Sequence, residues 1–309
     1  MSTAVVGSAN LDLVYRVERI PSPGETVLAR SADAVPGGKG NNQAVAAARA
    51  GADVVFVVAL GRDEAGDRLA AGARAAGATV LDRRVDVATG TALITVDAAG
   101  ENSIVVDSGA NAQLTELTRE ERYAVAAADV LLLQLETPLG TVLEAATVAR
   151  ASGALVVLNA APAQNLPPAL LDVVDILVVN EHEAALLAPS AATSEEAAAA
   201  LAVDGRSVVL TLGGAGSLVV PSGAPAVPVP AHPVDVVDTT GAGDTFCGAF
   251  VAELDRAGGR RAAQSDRVAV LADAARFASA AAALSVQRPG AVPSIPTLEE
   301  IRAFVADRR

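Results

Sequence analysis

One cysteine in 309 residues, Cys247, leaves no disulfide framework to hold this chain together. The two histidines, His182 and His232, stand far apart in sequence, so with a single thiol no zinc site of ordinary ligand spacing can be written. Gly-x-Ser-x-Gly, the local signature of many Ser-His-Asp hydrolases, is missing. No apolar run reaches the length needed to span a bilayer, and no basic region precedes the strand-like start of the chain. The expectation is a cytoplasmic protein with no membrane partner. Positive charge is scarce as well. Lys and Arg total 23 against 36 Asp and Glu, a net charge of −13, which argues against nucleic acid as a partner. Any anion site must then be local, built from backbone amides and a few placed cations. Of those 23 basic residues only Lys39 is a lysine, and it stands between Gly38 and Gly40. An ammonium on a flexible stem offers a compact charge that arginine does not reproduce.

What is present is apolar and periodic. Hydrophobic residues make up 51% of the chain and charged residues 19%, a globular balance at a length that buries a large core. From Asp53 onward strands and helices alternate. Strand 53–60 precedes helix 63–76, and strand 129–135 precedes helix 138–152. Strands 154–159 and 175–179 are each followed by a helix, the alanine-rich stretch 191–204 is helical, and strand 207–212 leads to an extended piece at 217–220. This order predicts an α/β protein with a doubly wound, mainly parallel sheet and helices on both faces. Residues 11–36 and 89–107 read differently, as paired strands forming a small β-sheet lid on one domain that spans 1–309. An isolated sheet with one apolar face needs a cover, from substrate or from a second subunit.

The chain is organised around Asp238-Thr239-Thr240-Gly241-Ala242-Gly243-Asp244, which follows an apolar β-branched segment and opens a helix. The N–H groups of 241–243 at that helix start suit a phosphate. A carboxylate beside a phosphate needs a task, and Asp244 can take the proton of a hydroxyl that attacks phosphorus. The plain alternative makes Asp244 a helix N-cap. Gly37-Gly38-Lys39-Gly40-Asn41-Asn42-Gln43 opens an earlier helix. It is no Walker A loop, because Gly40 stands where Ser or Thr is required. It reads either as a binder of several hydroxyls or as a flexible loop. Asn10 and Asp12 follow the first strand, and Glu136 ends an apolar one. Asn180 and Glu183 either orient Mg²⁺ or form a capping box. Thr211, Gly213 and Gly216 form a bend that lies against a nucleotide or is an ordinary hairpin. All of these residues fall at or just past strand ends, which share one edge in a doubly wound sheet. A nicotinamide-binding fold would need Gly-x-Gly-x-x-Gly after the first strand, and Gly7-Ser8-Ala9-Asn10-Leu11-Asp12 does not supply it.

Over nearly its whole length the sequence resembles the ribokinase-like (PfkB) carbohydrate kinases. The resemblance rests on Gly-Gly-Lys-Gly-x-Asn-Gln-Ala at 37–44 and Asp-Thr-x-Gly-Ala-Gly-Asp at 238–244. It is supported by Gly-Ser-Ala-Asn-Leu-Asp at 7–12, Pro-x-Pro-Gly-Glu-Thr at 21–26 and Ser-Gly-Ala-Asn at 108–111. Leu-Gln-Leu-Glu at 133–136, Asn-x-Ala-Pro-Ala at 159–163, Asn-Glu-x-Glu at 180–183 and Thr-Leu-Gly at 211–213 complete it. It implies phosphoryl transfer from Mg-ATP to a small-molecule sugar, with Asp244 as base and the N–H groups of Gly241, Ala242 and Gly243 as anion hole. Asn10, Asp12, Gly38, Lys39, Asn42 and Glu136 would bind the sugar. Asn180, Thr211, Gly213, Gly216, Gly243 and Ser279 would serve ATP, and Glu183 would serve Mg²⁺, mainly through water. A monovalent-cation site for K⁺ would map to Asp238, Thr240, Ser285, Arg288, Gly290 and Ser294. The lid implies a homodimer.

Within that resemblance, Asn42-Gln43-Ala44 is similar to the version of the motif that implies D-ribose as acceptor and its 5-hydroxyl as nucleophile. Another sugar, a fructose or tagatose phosphate, or a nucleoside is the alternative, with Arg16, Arg30, Arg83 and Arg84 as possible phosphate ligands near the lid. A non-catalytic sugar-binding member is a further reading, though no catalytic group is lost. The sequence departs from the family's pattern at Asn41, where Ala is common, at Cys247, where Asn is common, and at Ser279, where His is frequent beside adenine.

Overall fold

The computed structural model describes residues 2–260 and 266–308. In chain order the strands are β1 (Thr3–Val6), β2 (Asn10–Arg16), β3 (Ser31–Gly37), β4 (Val54–Gly61), β5 (Thr79–Val85), β6 (Gly90–Val96), β7 (Asn102–Asp107), β8 (Val130–Leu133), β9 (Leu155–Asn159), β10 (Ile176–Asn180), β11 (Ser207–Thr211), β12 (Ser217–Val220) and β13 (Val227–Val229). The helices are α1 (Lys39–Arg49), α2 (Glu64–Ala75), α3 (Arg119–Ala127), α4 (Leu139–Ser152), α5 (Pro168–Leu171), α6 (Glu181–Leu187), α7 (Ser194–Leu201), α8 (Ala242–Ala257), α9 (Arg267–Ser285), α10 (Ala291–Ser294) and α11 (Leu298–Ala306).

Nine strands form one sheet in the order β13-β12-β11-β10-β9-β8-β1-β4-β5. It is parallel from β11 to β5, and β12 and β13 add antiparallel at one edge. The strands are apolar on both sides because both sides are covered. Val5, Phe56, Leu132, Val157 and Val209 pack with α1, α2, α8, α9 and α11. Val6, Val57, Leu131, Val156 and Leu177 pack with α3, α4, α5, α6 and α7. The doubly wound architecture follows directly from that alternation.

A second sheet has the order β3-β2-β6-β7, with β2 and β6 parallel and the other pairs antiparallel. It comes from the two stretches the sequence sets apart. Of the stretch 11–36 expected as paired strands, residues 17–30 are irregular and the second strand starts only at Ser31. Strand β5 has no counterpart in the sequence reading. Its Asp82, Arg83 and Arg84 break the apolar pattern, and as an edge strand it needs only β4 as a neighbour.

Helix α9 revises the expectation about long apolar segments. Its 19 residues are long and apolar enough by composition to cross a membrane, although Asp273 and Arg276 interrupt the run. The reason is core packing: Leu271, Ala274, Ala275 and Ala278 are fully buried against the sheet and its helices. Helices α1 and α8 are in close contact at Gly248. A Cβ there would lie 2.4 Å from Ala46 Cβ and 2.6 Å from the Gln43 carbonyl oxygen.

Candidate active site

The start of α1 is pressed against the link between β1 and β2. Gly38 has φ 84°, and a Cβ on it would lie 2.7 Å from both Ala9 Cα and the Asn10 nitrogen, so only glycine fits. This contact brings Lys39 to Glu136, which lies just past β8. Glu136 Oε2 accepts from Ser8 Oγ at 2.6 Å and from the Lys39 backbone N–H at 2.9 Å. On β2, the Asn10 side-chain oxygen accepts from Asn111 Nδ2 at 2.7 Å. Asp12 Oδ1 is buried without a hydrogen-bond partner among the described residues. Burial, with Glu136 and Asp244 nearby, raises the Asp12 carboxyl to about 7.

Asp244 lies in the first turn of α8. The cap position is taken by Gly241, whose φ is 74°, so the N-cap alternative for Asp244 falls away. Its carboxylate turns to α1 instead: Oδ2 accepts from Asn42 Nδ2 and Oδ1 from Gln43 Nε2, both at 2.9 Å. Burial raises the Asp244 pKa, opposed by the Lys39 charge and by the Gln43 and Asn42 amides. Burial lowers that of Lys39, but the carboxylates of Asp244, Glu136 and Glu183 outweigh it and hold the ammonium charged. At the start of α8 the Ala242 N–H donates to the Thr239 carbonyl at 3.2 Å. The N–H groups of Gly241, Gly243 and Asp244 have no acceptor among the described residues, and Gly243 faces open space. The segment before this loop is not a strand, contrary to the expectation from its β-branched residues. Val236 and Val237 are 62% and 64% exposed. Asp244 therefore reaches the site from a loop-to-helix junction.

Beside these donors a cavity of about 350 Å³ is lined by Thr211, Gly213, Gly216, Gly243 and Ser279, with Val236, Phe246 and Val286 as apolar walls. The sequence names the first five, and the structure brings them together. His232 also lines this cavity and packs edge-on against Phe304, a role no local pattern announces. Asn180 sits next to Thr211 through the β10–β11 register. It forms the capping box: Glu183 N–H donates to Asn180 Oδ1 at 2.8 Å, and Asn180 N–H to Glu183 Oε2 at 2.9 Å. The Glu183 carboxyl is raised, mainly by burial, and feels the Lys39 charge.

The predicted cation-site residues converge only in part through direct contacts. The Asp238 carboxylate accepts from the N–H groups of Thr240 at 2.9 Å and Gly290 at 2.8 Å. Ser285 and Ser294 are buried, and their hydroxyls donate to the carbonyls of Ala282 and Ala291. The Arg288 side chain pairs with Glu300. Among the described residues no group of three or more His, Cys, Asp or Glu side chains is arranged to hold a metal. Three of the four arginines considered for a substrate phosphate are committed elsewhere: Arg30 to Glu18, Arg83 to Glu121, and Arg84 to Asp82 and Asp67. Cys247 is buried one turn past Asp244, and its thiol is raised by burial.

Sequence reasoning passed over Gln43, Gln134 and Asn159 as site residues. Gln134 Nε2 donates to Gln43 Oε1 at 2.7 Å, and Gln43 Nε2 donates to Asn159 Oδ1 at 3.0 Å as well as to Asp244. The signal was a carboxamide standing at the head of an otherwise alanine-rich helix.

A family model described as pfkB family carbohydrate kinase matches residues 2–298. A ribokinase of Staphylococcus aureus is 39% identical over 306 residues, covering 96% of this chain and 97% of the relative. A ribokinase of Haemophilus influenzae is 40% identical over 309 residues, covering 97% of each. The crystal structure of a Thermotoga maritima ribokinase is similar with a TM-score of 0.87 at 36% identity, over 99% of both chains. That of an Arabidopsis thaliana ribokinase complexed with ribose and ATP has a TM-score of 0.87 at 31% identity, over 98% of both. With the match running through both sheets and through the α1 and α8 junctions that meet at Asp244, the chain belongs to the pfkB family of carbohydrate kinases.

Proposed function

We propose that this chain transfers the γ-phosphoryl group of Mg-ATP to the primary 5-hydroxyl of D-ribose, giving ribose 5-phosphate and ADP. The observation that carries the reading is Asp244: a carboxylate oriented by two amides, beside a charged lysine and a helix start with open N–H donors. Ribose is favoured over other acceptors because the similar full-length relatives are ribokinases.

In this mechanism Asp244 takes the proton of the 5-hydroxyl as its oxygen bonds to phosphorus and the bond to the ADP oxygen breaks. Gly241 and Gly243, joined by Asp244 through its own N–H, donate to the charge that develops on the transferring group. Asn10, Asp12, Gly38, Lys39, Asn42 and Glu136 hold the sugar. The unpartnered Asp12 Oδ1 is an acceptor suited to a sugar hydroxyl. Thr211, Gly213, Gly216 and Ser279 line the nucleotide cavity. Magnesium keeps several waters and takes phosphate oxygens, so one buried carboxylate, Glu183, with Asn180 beside it, fits as its protein partner; when bound it would neutralise phosphate charge. Carbonyl groups around Asp238, Thr240, Ser285, Arg288, Gly290 and Ser294 would hold K⁺ behind the anion hole. The second sheet acts as a lid that keeps water from the γ-phosphate, on a chain that works as one domain. We assign the reaction to the cytoplasm, where ATP is supplied. The commitment of Arg30, Arg83 and Arg84 to carboxylates weighs against a sugar phosphate as acceptor.

Product-resolved phosphotransfer from Mg-ATP tests the reading. The acceptors are D-ribose, 2-deoxyribose, fructose, fructose phosphates, tagatose 6-phosphate and adenosine, each with and without K⁺. Ribose should dominate and K⁺ should stimulate. Asp244→Asn should keep ATP binding and lose on the order of 10²–10⁴ in turnover. Dominance of a phosphorylated acceptor, or near-normal turnover by Asp244→Asn, would overturn the assignment.

A further inference from the structure

Behind the candidate base lies a buried chain of carboxamides that the reaction as described does not use. Gln43 is fully buried in α1, and its side-chain amide makes three hydrogen bonds. Its Nε2 donates to Asp244 Oδ1 at 2.9 Å and to Asn159 Oδ1 at 3.0 Å, and its Oε1 accepts from Gln134 Nε2 at 2.7 Å. Asn159 in turn donates to the Val178 carbonyl on β10 at 3.3 Å. The orientation of each amide follows from charge. Turning Gln43 over would aim its oxygen at a carboxylate and leave the Gln134 and Asn159 groups facing like atoms. Neighbouring strands β8, β9 and β10 are thereby tied to the side-chain oxygen of one residue on α8.

We infer that Gln43 is a positioning residue for phosphoryl transfer: its amide fixes the Asp244 carboxylate toward the acceptor hydroxyl and stabilises its deprotonated form, while Gln134 and Asn159 fix the amide. The inference rests on the kinase reading above. Gln43 is fully buried, while Asn42, whose amide donates to the other carboxylate oxygen, keeps slight exposure. A neutral donor suits the place. It favours the carboxylate without an added charge that would have to be balanced when the hydroxyl proton arrives. The charged groups facing Asp244 are Lys39 from α1, Glu136 past β8, Asp12 from β2 and Glu183 from α6, with the Cys247 thiol on α8 itself. Beside these charged groups, Gln43 and Asn42 are the neutral amide donors to Asp244, and Gln43 is the one held by further buried amides.

The test compares wild type, Gln43→Met and Gln43→Glu in steady-state phosphorylation of ribose across pH, with ATP binding measured separately. Gln43→Met should lower kcat by about tenfold or more. It should leave both KM values within about threefold and move the acidic limb of the kcat profile up by about one pH unit, so that part of the loss is recovered at alkaline pH. Gln43→Glu, which keeps the shape and can share a proton with Asp244, should move the limb further. It decides the matter if Gln43→Met does not fold. An unmoved acidic limb in the folded variant, or a loss that appears wholly in KM, would overturn the inference. Absence of sugar phosphorylation by wild type would overturn the kinase reading instead, so the two failures are distinguishable.

Discussion

Asp12, proposed to hold the sugar, is a residue whose carboxylate comes at the expense of the fold. Its carboxyl is raised from an ordinary 3.8 to about 7, first by burial and then by Glu136 and Asp244. A carboxyl raised on folding binds its proton more tightly in the native state. Its contribution is therefore fully present below the unfolded value and is lost as pH climbs through about 7. At ~1.4 kcal/mol per pH unit, discounted for the partial exposure of the side chain, the loss is on the order of 2 kcal/mol. Asp12→Asn should accordingly stabilise the sugar-free protein at pH 8 by about that amount and leave it unchanged at pH 4, while weakening sugar binding. Urea unfolding of both proteins at the two pH values checks this. A variant less stable than wild type at pH 8 would show that the Asp12 carboxylate is already well paired in the free protein.

The close crossing of α1 and α8 is what carries Asn42 and Gln43 to Asp244. At Gly248 an added methyl would meet Ala46 Cβ at 2.4 Å, the Gln43 carbonyl oxygen at 2.6 Å and the Ala47 nitrogen at 2.7 Å, and backbone cannot yield as a flexible side chain can. Gly248→Ala gains about 1 kcal/mol of helix propensity, yet overpacking of this kind costs typically about 1–3 kcal/mol and moves the backbone. The variant should have a lower Tm, and kcat should fall further than the stability loss explains, because the helices part at the residues that hold Asp244, the proposed base. Unchanged kcat in the folded variant would mean that the Asp244 contacts tolerate the shift. These elements also show what a sequence makes legible. Strands such as β8 and β9 are continuous apolar runs between helices, and their bounds are read to within a residue or two. β5 escapes because its Asp82 and Arg84 pair with each other and with neighbours, a tertiary fact with no local period. The three β-branched valines before Asp238, Val234, Val236 and Val237, mimic a strand but pair with no neighbouring strand. The site residues were legible because glycine and polar residues punctuate strand ends. Gln43 was not, because its meaning lies in contacts with residues 91, 116 and 201 positions away along the chain.

At the scale of the whole molecule the unbalanced feature is the second sheet. Its strand β7 is an edge strand, and Ile104, Val105 and Val106 are 53%, 64% and 52% exposed. Leu93, opposite Val105 in the β6–β7 register, is 44% exposed. Successive residues point to opposite faces, so both faces of this edge are apolar, and no charged residue interrupts Ser103–Val106. A bare apolar edge is an aggregation hazard that proteins cover or blunt. Helices and strands of this chain already cover the large sheet, and its net charge of −13 opposes loose self-association. We propose a second copy as the cover, the two small sheets closing on each other about a two-fold axis so that the same patch is used on both sides and no edge remains. Wild type should then sediment as a dimer at micromolar concentration. Val105→Lys combined with Ile104→Lys should give a folded monomer, and its KM for the sugar should rise because each lid loses the support that holds β2, with Asn10 and Asp12, over the site. A wild-type monomer would refute the pairing. A variant that stays dimeric would move the interface to another surface, and a monomeric variant with an unchanged KM would separate assembly from the site.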